Sequence, residues 1–375
     1  MSEQERGFTR RNLLKGGAIG AAGLYLGGAG SALASRSGRA AALEAENVTI
    51  AWLTWFDHFF PAQLAVTNKK TGIACRPKLA PSDSEIYTTI RQTGSQFDIA
   101  AMDALWVPKL HRDGYTDSFD WSEMPNASKQ LYSDARNIKY WKDGSKTMAF
   151  PNGWATVNIY YNPKYVKTPP TSYDALLNPK YKKKIAYENQ PENIVAIAGL
   201  ATGAKAPFQQ SLAQISRSKD WMKKWKPNVL HLADQNSENI TLAKDESVWI
   251  VLGNIGVDAR VKDAGGPLMK RAVPKEGLIG WFDGEQMVKK STHKDQFVKF
   301  MNSVEAQTSF AAQNFIKNGR PMFNEAAYKL LVKQGYKARA DLFHYNNPDL
   351  IFKAHLQGPS RYPQQTTDTF NEVFG

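Results

Sequence analysis

The chain has 375 residues, beyond the size at which a single hydrophobic core stops growing, so we expect two lobes. It carries 48 lysine and arginine residues against 35 aspartate and glutamate residues, but the basic residues are scattered and do not indicate a nucleic-acid-binding surface. Cys75 is the only cysteine, which excludes an internal disulfide and a metal cluster built on thiolates.

The N-terminus has the pattern of an export signal. Two adjacent arginines within Thr9–Lys15 are followed by a glycine- and alanine-rich apolar run and then by Ala32–Ala34, small residues typical of a cleavage site. This pattern predicts a twin-arginine signal over residues 1–34 and a polar linker over residues 35–47. The run is too rich in glycine for a membrane anchor. We therefore expect a periplasmic protein that is exported by the twin-arginine route.

Strand and helix patterns alternate after the linker. The predicted strands and helices, in chain order, are Val48–Leu53, Ala62–Lys70, Ile73–Leu79, Ser82–Gly94, Phe97–Met102 and Ala104–Arg112. This order indicates a parallel, doubly wound sheet with right-handed crossovers. The turn over residues 54–61 is rich in aromatic residues, and it lies at the end of a strand where open α/β sheets bind ligands.

A second set of alternating elements follows a less regular region over residues 116–146. Thr147–Tyr161 is apolar with a break at Pro151–Gly153, which fits either a hinged crossing between lobes or an ordinary hairpin. The later predicted elements are strands Lys184–Tyr187, Val229–Leu232, Val248–Leu252 and Trp281–Val288, and helices Glu192–Leu200, Gln210–Lys224, Ile240–Lys244, His293–Ser303, Glu305–Asn314 and Glu325–Lys333. We expect the remaining tail to be irregular, with short helices.

Trp281 and Asp283 are separated by one residue on a predicted strand, so their side chains share one face. An indole ring attracts a cation, and a carboxylate completes a charge-assisted hydrogen bond to it. A half-buried strand with Trp281 in the core explains the pattern equally well.

Motifs for common enzymatic chemistries are missing from the sequence. It has no GxSxG nucleophile elbow, no GxxxxGK[ST] phosphate loop and no GxGxxG dinucleotide motif. The six histidines do not have the HExxH spacing of a zinc site. We therefore expect no enzyme activity, metal or cofactor.

Five groups of residues, taken in order, resemble the periplasmic solute-binding proteins of ABC importers, and within them the spermidine- and putrescine-binding branch. They are Thr54-Trp55 with Pro61, Phe97–Ile99 with Trp106-Val107 and Arg112–Gly114, Phe150-Pro151 and Gly153–Thr156 with Tyr161-Asn162, Ser172–Leu176 with Pro179–Lys182, and Pro274–Gly277 with Trp281–Asp283.

The resemblance implies an α/β fold of the type II periplasmic-binding-protein kind. Each of its two lobes would be a doubly wound, mainly parallel sheet, and crossing hinge strands would join them. We assign residues 48–152 and 281–325 to lobe 1, and residues 153–280 and 326–375 to lobe 2. The resemblance also implies a monomer that closes on a solute and docks on an inner-membrane ABC permease and its ATPase.

The resemblance further implies a site for a polyamine-like cation. Polyamine-binding members hold the methylene chain between aromatic rings and each ammonium group by carboxylates, and their Trp-x-Asp pair falls on Trp281 and Asp283. The other positions carried over are Trp55, Asp57, Phe59, Asp103, Trp106, Trp154, Asn189, Glu192, Asn254 and Gln357.

Two departures from the family pattern bear on the ligand. Asn189 and Glu192 stand where two acids are expected, and the tryptophan expected near Asn254 is missing. One acid is lost there and one is gained at Asp103, so a shorter diamine, a modified polyamine or another amine fits as well as spermidine. An Asp283→Asn change should then weaken amine binding and leave the melting of the empty protein almost unchanged.

Two alternatives stay open. The same fold could bind an organic anion held by arginines and helix N-termini, and convergence of arginine or lysine residues in the cleft would favour that interpretation. A secreted enzyme built on this fold is the other alternative, because catalytic triads are not local in sequence.

Overall fold

A computed structural model describes residues 48–59, 61–80, 82–303 and 305–375, without the side chains of residues 305 and 306. The predicted export signal and linker lie outside the described residues. The strands are β1 Val48–Thr54, β2 Ile73–Leu79, β3 Ile99–Asp103, β4 Thr116–Asp117, β5 Lys142–Asp143, β6 Lys146–Thr147, β7 Phe150–Tyr161, β8 Ile185–Glu188, β9 Val229–Ala233, β10 Ile250–Asn254, β11 Lys270–Ala272, β12 Ile279–Val288 and β13 His355–Leu356.

Helices alternate with these strands over most of the chain. They are α1 Pro61–Thr71, α2 Asp83–Thr93, α3 Trp106–Arg112, α4 Pro125–Gln130, α5 Pro191–Ala201, α6 Leu212–Trp225, α7 Asn236–Lys244, α8 Val257–Asp263, α9 Lys294–Met301, α10 Phe310–Asn318, α11 Glu325–Lys333, α12 Lys337–Leu342, α13 Asp349–Phe352 and α14 Pro363–Phe374. None of these helices is both long enough and apolar enough to cross a membrane.

Eleven of the strands form one mixed sheet, whose main path is β2-β1-β3-β12-β7-β10-β8-β9, and β5 and β6 form a separate two-stranded sheet. At one end β1 pairs in parallel with β2 and β3, and at the other β8 pairs in parallel with β9 and β10. Helices supply the crossovers that parallel pairing requires. In the middle, β12 is antiparallel to β3 and β7, and β7 is antiparallel to β10. The long strands β7 and β12 therefore connect two parallel sets.

The sequence prediction for residues 147–161 is only partly correct. The Pro151–Gly153 segment does not form a hairpin turn, because β7 runs unbroken from Phe150 to Tyr161. Its pairing with β12 shifts register opposite Phe282 and Gly284, so the segment is accommodated as a local irregularity within the ladder. The prediction of an irregular tail is also wrong at its end, where α14 is a regular helix of 12 residues.

Buried apolar side chains form two large cores. The first contains side chains from β1, from β3 and from the first five residues of β7, together with Phe282 of β12. The second contains side chains from the rest of β7, from β8 and β10, and from α5 and α6. Tyr345 and Ile351 belong to the first core, whereas Phe370 and Val373 belong to the second. The lobe boundaries drawn from the sequence stay a prediction.

Candidate functional site

A cavity of about 610 Å³ opens where three strands end. Its walls come from the turn after β1, the last residue of β3, the segment between β8 and α5, and the side of β12. The lining residues are Trp55, Phe56, Asp57, His58, Asp103, Asn189, Gln190, Pro191, Glu192, Asn193, Trp281, Asp283, Arg320, Gln357 and Thr367. The carboxyl ends of parallel strands are the usual ligand-binding edge of an open α/β sheet.

The structure brings together most of the residues that the sequence analysis selected. Those that line the cavity are Trp55, Asp57, Asp103, Asn189, Glu192, Trp281, Asp283 and Gln357. Trp154 and Asn254 line an adjoining cavity of about 90 Å³, which shares Asp57, Trp281, Asp283 and Arg320 with the first. Phe59 and Trp106 are absent from the lining of both cavities.

Phe59 and Trp106 pack against other aromatic rings instead. The Phe59 ring lies 6.1 Å from that of Trp52, and the Trp106 ring lies 6.2 Å from that of Tyr87. Both residues are half-buried against the first core. Trp154 is 1% exposed and belongs to that core as well. These contacts account for Phe59 and Trp106 without a ligand, whereas Trp154 also lines the adjoining cavity.

Trp281 and Asp283 face the same cavity, as the alternation of side chains along a strand predicts. Phe282 between them points into the first core, where its ring lies 4.9 Å from that of Trp141. Asp283 pairs with Asp103 across the ladder between β12 and β3. The pairing of these two strands therefore places two carboxyl groups on the cavity wall.

Arg320 is a cavity residue that the sequence analysis missed. Its Nη1 atom lies 2.6 Å from Oδ2 of Asp57, and its Nη2 atom forms an ion pair with Oδ2 of Asp283. Burial alone would raise the pKa of Asp57, but the charge and hydrogen bond of Arg320, together with smaller contributions from His58 and the backbone, outweigh burial and lower it. Arg320 lies between Gly319, whose φ of 64° ends α10, and Pro321. This local pattern indicates a turn and carries no signal for a ligand site.

His58 connects Arg320 to a buried carboxylate. Nη2 of Arg320 lies 2.7 Å from Nε2 of His58, and Nδ1 of His58 lies 2.6 Å from Oε1 of Glu285. A guanidinium can only donate, so Nε2 accepts and the proton of a neutral imidazole lies on Nδ1. Glu285 also accepts hydrogen bonds from Nε1 of Trp52 and Nδ2 of Asn152, each at 2.8 Å. This network fixes the His58 ring behind the cavity wall.

Asp103 is joined to a second buried acid, Asp83, which the sequence analysis had treated only as part of a helix start. The backbone N–H of Asp103 donates to Oδ1 of Asp83 at 2.8 Å, and the charge of Asp103 raises the pKa of Asp83. Burial raises the pKa of Asp103 to about 6 and that of Asp83 further. The two carboxyl groups titrate as a pair, and the pair takes up protons at a higher pH than ordinary aspartates do.

The opposite wall contributes another acid. Glu192 lies in the first turn of α5 and is half-buried, and burial raises its pKa. Its charge in turn raises the pKa of Asp83, so the two groups are close enough to interact. Glu188 at the end of β8 accepts hydrogen bonds from Nε2 of Gln190 and Nδ2 of Asn236, each at 2.7 Å. These bonds hold the segment that carries Glu192.

The charge balance of the cavity bears on the class of ligand. Its lining contains four carboxyl groups, those of Asp57, Asp103, Glu192 and Asp283, but one arginine and no lysine. The single guanidinium of Arg320 carries one positive charge, so carboxyl groups remain in excess even where Arg320 pairs with two of them. A metal site is a separate question: within the described residues, no group of three or more His, Cys, Asp or Glu side chains is arranged to hold a metal ion.

A mixed sheet covered by helices, with a ligand-sized cavity at its strand ends, is the arrangement expected of a solute-binding protein of the type II periplasmic fold. The sequence supports this class directly. Residues 67–340 match the family model described as bacterial extracellular solute-binding protein, and the chain belongs to that family. The resemblance and the fold class predicted from the sequence are thus confirmed.

Relatives with known names agree with this assignment. The putrescine-binding periplasmic protein PotF of Escherichia coli strain K12 is 24% identical over 276 residues, which is 69% of this chain and 74% of that protein.

Among solved structures, PotD of Streptococcus pneumoniae matches with a TM-score of 0.68 at 20% identity over 87% of this chain and 97% of its own. The binding protein MotA of A. tumefaciens B6, solved with glucopine, matches with a TM-score of 0.57 at 16% identity over 87% and 99%. At such identities the structures show a shared fold, and the ligand has to be argued from the site.

Proposed function

We propose that this protein is the substrate-binding component of an ABC transporter and that it captures a polyamine-like organic cation in the cavity. The observation that carries the proposal is the excess of carboxyl groups beside the indole rings of Trp55 and Trp281. Indole faces favour an apolar chain next to a positive charge, and carboxylates bind the ammonium group itself. The name of PotF, a putrescine-binding protein, supports the same class of ligand.

The proposed roles follow from position. Trp55 and Trp281 would contact the methylene chain, while Asp103 and Glu192 would bind an ammonium group from two walls of the cavity. Gln357 and Asn189 would supply neutral hydrogen-bonding groups to the ligand. The remaining steps are proposed from the family: export by the twin-arginine route to the periplasm, action as a monomer without catalysis or cofactor, and delivery to an inner-membrane permease with its ATPase.

An organic anion is a weaker candidate. It would need free arginine or lysine donors, but Arg320 is the one basic residue in the cavity lining apart from His58, and both terminal nitrogens of its guanidinium already contact carboxylates. An anion would also have to approach Asp103 and Glu192. The negative charges of these two carboxylates would repel the anion.

A thermal-shift panel tests the proposal directly. The protein without residues 1–34 would be heated with putrescine, spermidine, spermine, agmatine, amino acids and organic anions. A ligand that binds only the folded state at 100 times its Kd adds about 2.7 kcal/mol of stability, so a true ligand raises the melting temperature visibly. We expect shifts with one or more amines and none with anions. Shifts confined to anions would contradict the proposal.

The affinity for an amine should depend on pH. With its pKa raised to about 6, Asp103 is mostly protonated at pH 5, so amine binding should be roughly tenfold weaker there than at pH 7. Glu192, whose pKa is also raised, adds to the effect in the same direction. The free energy of unfolding of the empty protein should change in the opposite direction. The pKa of Asp103 is higher in the folded protein than in the unfolded chain, so protonated Asp103 stabilises the fold at low pH, and this contribution is lost as the pH rises through about 6.

Isothermal titration calorimetry at pH 5, 6 and 7, in buffers with different ionisation enthalpies, measures both the affinity and the protons released. An Asp103→Asn variant is the control, and its remaining pH dependence should be smaller. Equal affinity of the native protein at pH 5 and pH 7 would remove Asp103 from the ligand site.

A further inference from the structure

Arg320 places a cation of the protein's own within the proposed cation site. Its guanidinium contacts Asp57 and Asp283 on one side of the cavity, and the Arg320 side chain is 10% exposed. A ligand ammonium that approached these two carboxylates would have to displace the guanidinium or share their oxygen atoms with it. Both alternatives weaken the attraction, because the two acids already have a counter-ion and hydrogen-bond donors.

The surrounding backbone is shaped to hold Arg320 in this position. A Cβ atom on Gly153 would lie 2.5 Å from Nε of Arg320, so only a glycine leaves room for the guanidinium at that point of β7. His58 contacts Nη2 at 2.7 Å and is itself fixed by Glu285. Because Nε faces Gly153 and both terminal nitrogens are engaged, Arg320 also has little capacity left for a ligand carboxylate.

The other two acids of the cavity lining, Asp103 and Glu192, and the neighbouring Asp83 have no such ion pair in the part of the chain that the structure describes. Within the described residues, no ion pair joins Asp83, Asp103 or Glu192 to a lysine or arginine. Asp83 interacts with the other two groups, since the charges of both Asp103 and Glu192 raise its pKa. The cavity is therefore asymmetric: Asp57 and Asp283 form ion pairs with Arg320, whereas Asp103 and Glu192 form none with any residue that the structure describes and are available to a ligand. The charge of Arg320 only partly offsets the effect of burial on the pKa of Asp103.

We infer that Arg320 determines specificity by occupying the place of one ligand cation, so that the cavity selects an amine with a single positive charge. The charged end would bind at Asp103 and Glu192, and a neutral, apolar or acylated end would lie toward Trp281 and Arg320. This inference rests on the proposed function, because it assumes an amine ligand. The inference narrows the expected class of ligand. Diamines and polyamines with two or more charges are excluded, and monoamines and diamines neutralised at one end remain.

Putrescine and N-acetylputrescine are matched probes, since they share the same carbon chain and differ by one charge. Calorimetry on the native protein should show N-acetylputrescine binding at least as tightly as putrescine. In Arg320→Gln, which removes the charge, the preference should move toward putrescine by tenfold or more. Arg320→Lys keeps a positive charge at the position and should keep the native preference.

Each outcome decides a different question. Native protein that binds putrescine tenfold more tightly than its acetylated form overturns the inference and leaves the proposed function standing. An unchanged preference in a folded Arg320→Gln variant also overturns it. If that variant does not fold, the two probes on the native protein still decide. Binding of neither probe, with no response to any other amine, would reject the proposed function together with the inference.

Discussion

Replacing Arg320 by methionine is expected to lower the free energy of unfolding of the empty protein by about 3–5 kcal/mol, the usual cost of removing one partner of a buried ion pair. Methionine is similar in length but supplies no charge. Asp283, which is 3% exposed, would then lack its cationic partner, and Asp57 would lose the ion pair that lowers its pKa. Urea unfolding at pH 7, followed by circular dichroism, measures the change.

The matched control is Arg339→Met. Arg339 forms an ion pair with Asp263 at the surface, where the two side chains are 31% and 54% exposed, so its loss should cost at most about 1 kcal/mol. The double change Arg320→Met with Asp283→Asn should cost less than the sum of the single changes, because it removes both charges together. Equal effects of Arg320→Met and Arg339→Met would show that the buried pair does not stabilise the fold.

The ion pair between Arg320 and Asp283 also changes the expected effect of replacing Asp283. The sequence placed this residue at a ligand site and suggested that an Asp283→Asn change would leave the melting of the empty protein almost unchanged. In the structure its carboxylate is buried against Arg320, so the change should also lower the melting temperature without any ligand. Reduced amine binding by this variant therefore has to be compared at temperatures where it is fully folded.

The sequence predicts the elements of this fold well because most of them have a strong local signal. β2 and α11 have the predicted bounds, and Ser82 caps α2 by accepting a hydrogen bond from the backbone of Glu85. The antiparallel centre of the sheet is different. Hydrophobic periodicity does not reveal that β7 pairs with both β12 and β10, nor that the Pro151–Gly153 segment lies within a continuous strand.

The residues of the candidate site also fall into those that the sequence predicts and those that it does not. Trp281 and Asp283 could be found because a strand places them on one face, and Asp57 because the family resemblance places a ligand position in the turn after β1. Arg320 could not, since its partner His58 is 262 positions away in the chain and its neighbours form only a turn. Glu285 is 227 positions from His58 and looks like an ordinary strand residue. Such contacts depend on tertiary packing, which no local pattern encodes.

Replacing Glu285 by leucine is expected to destabilise the protein by at least about 3 kcal/mol, because each buried donor left without an acceptor costs about 1–3 kcal/mol. Three donors lose their acceptor: Nε1 of Trp52, Nδ1 of His58 and Nδ2 of Asn152. Glu285 is 1% exposed, so water does not readily replace the carboxylate. Glu285→Gln keeps one acceptor oxygen and should lose less, about 1–3 kcal/mol.

Ligand binding separates a structural role of Glu285 from an effect on the site. Glu285 does not line the cavity, yet it holds His58, and His58 contacts Arg320 at 2.7 Å. In Glu285→Gln an NH2 group replaces one carboxylate oxygen, so a single oxygen has to serve all three donors and the His58 ring is held less firmly. Arg320 then loses part of the contact that orients it toward Asp283. We therefore expect Glu285→Gln, measured where it is folded, to change the ratio of putrescine to N-acetylputrescine affinity. Glu325→Gln on the exposed start of α11 is the control, and a native ratio in both variants would show that the network only stabilises the fold.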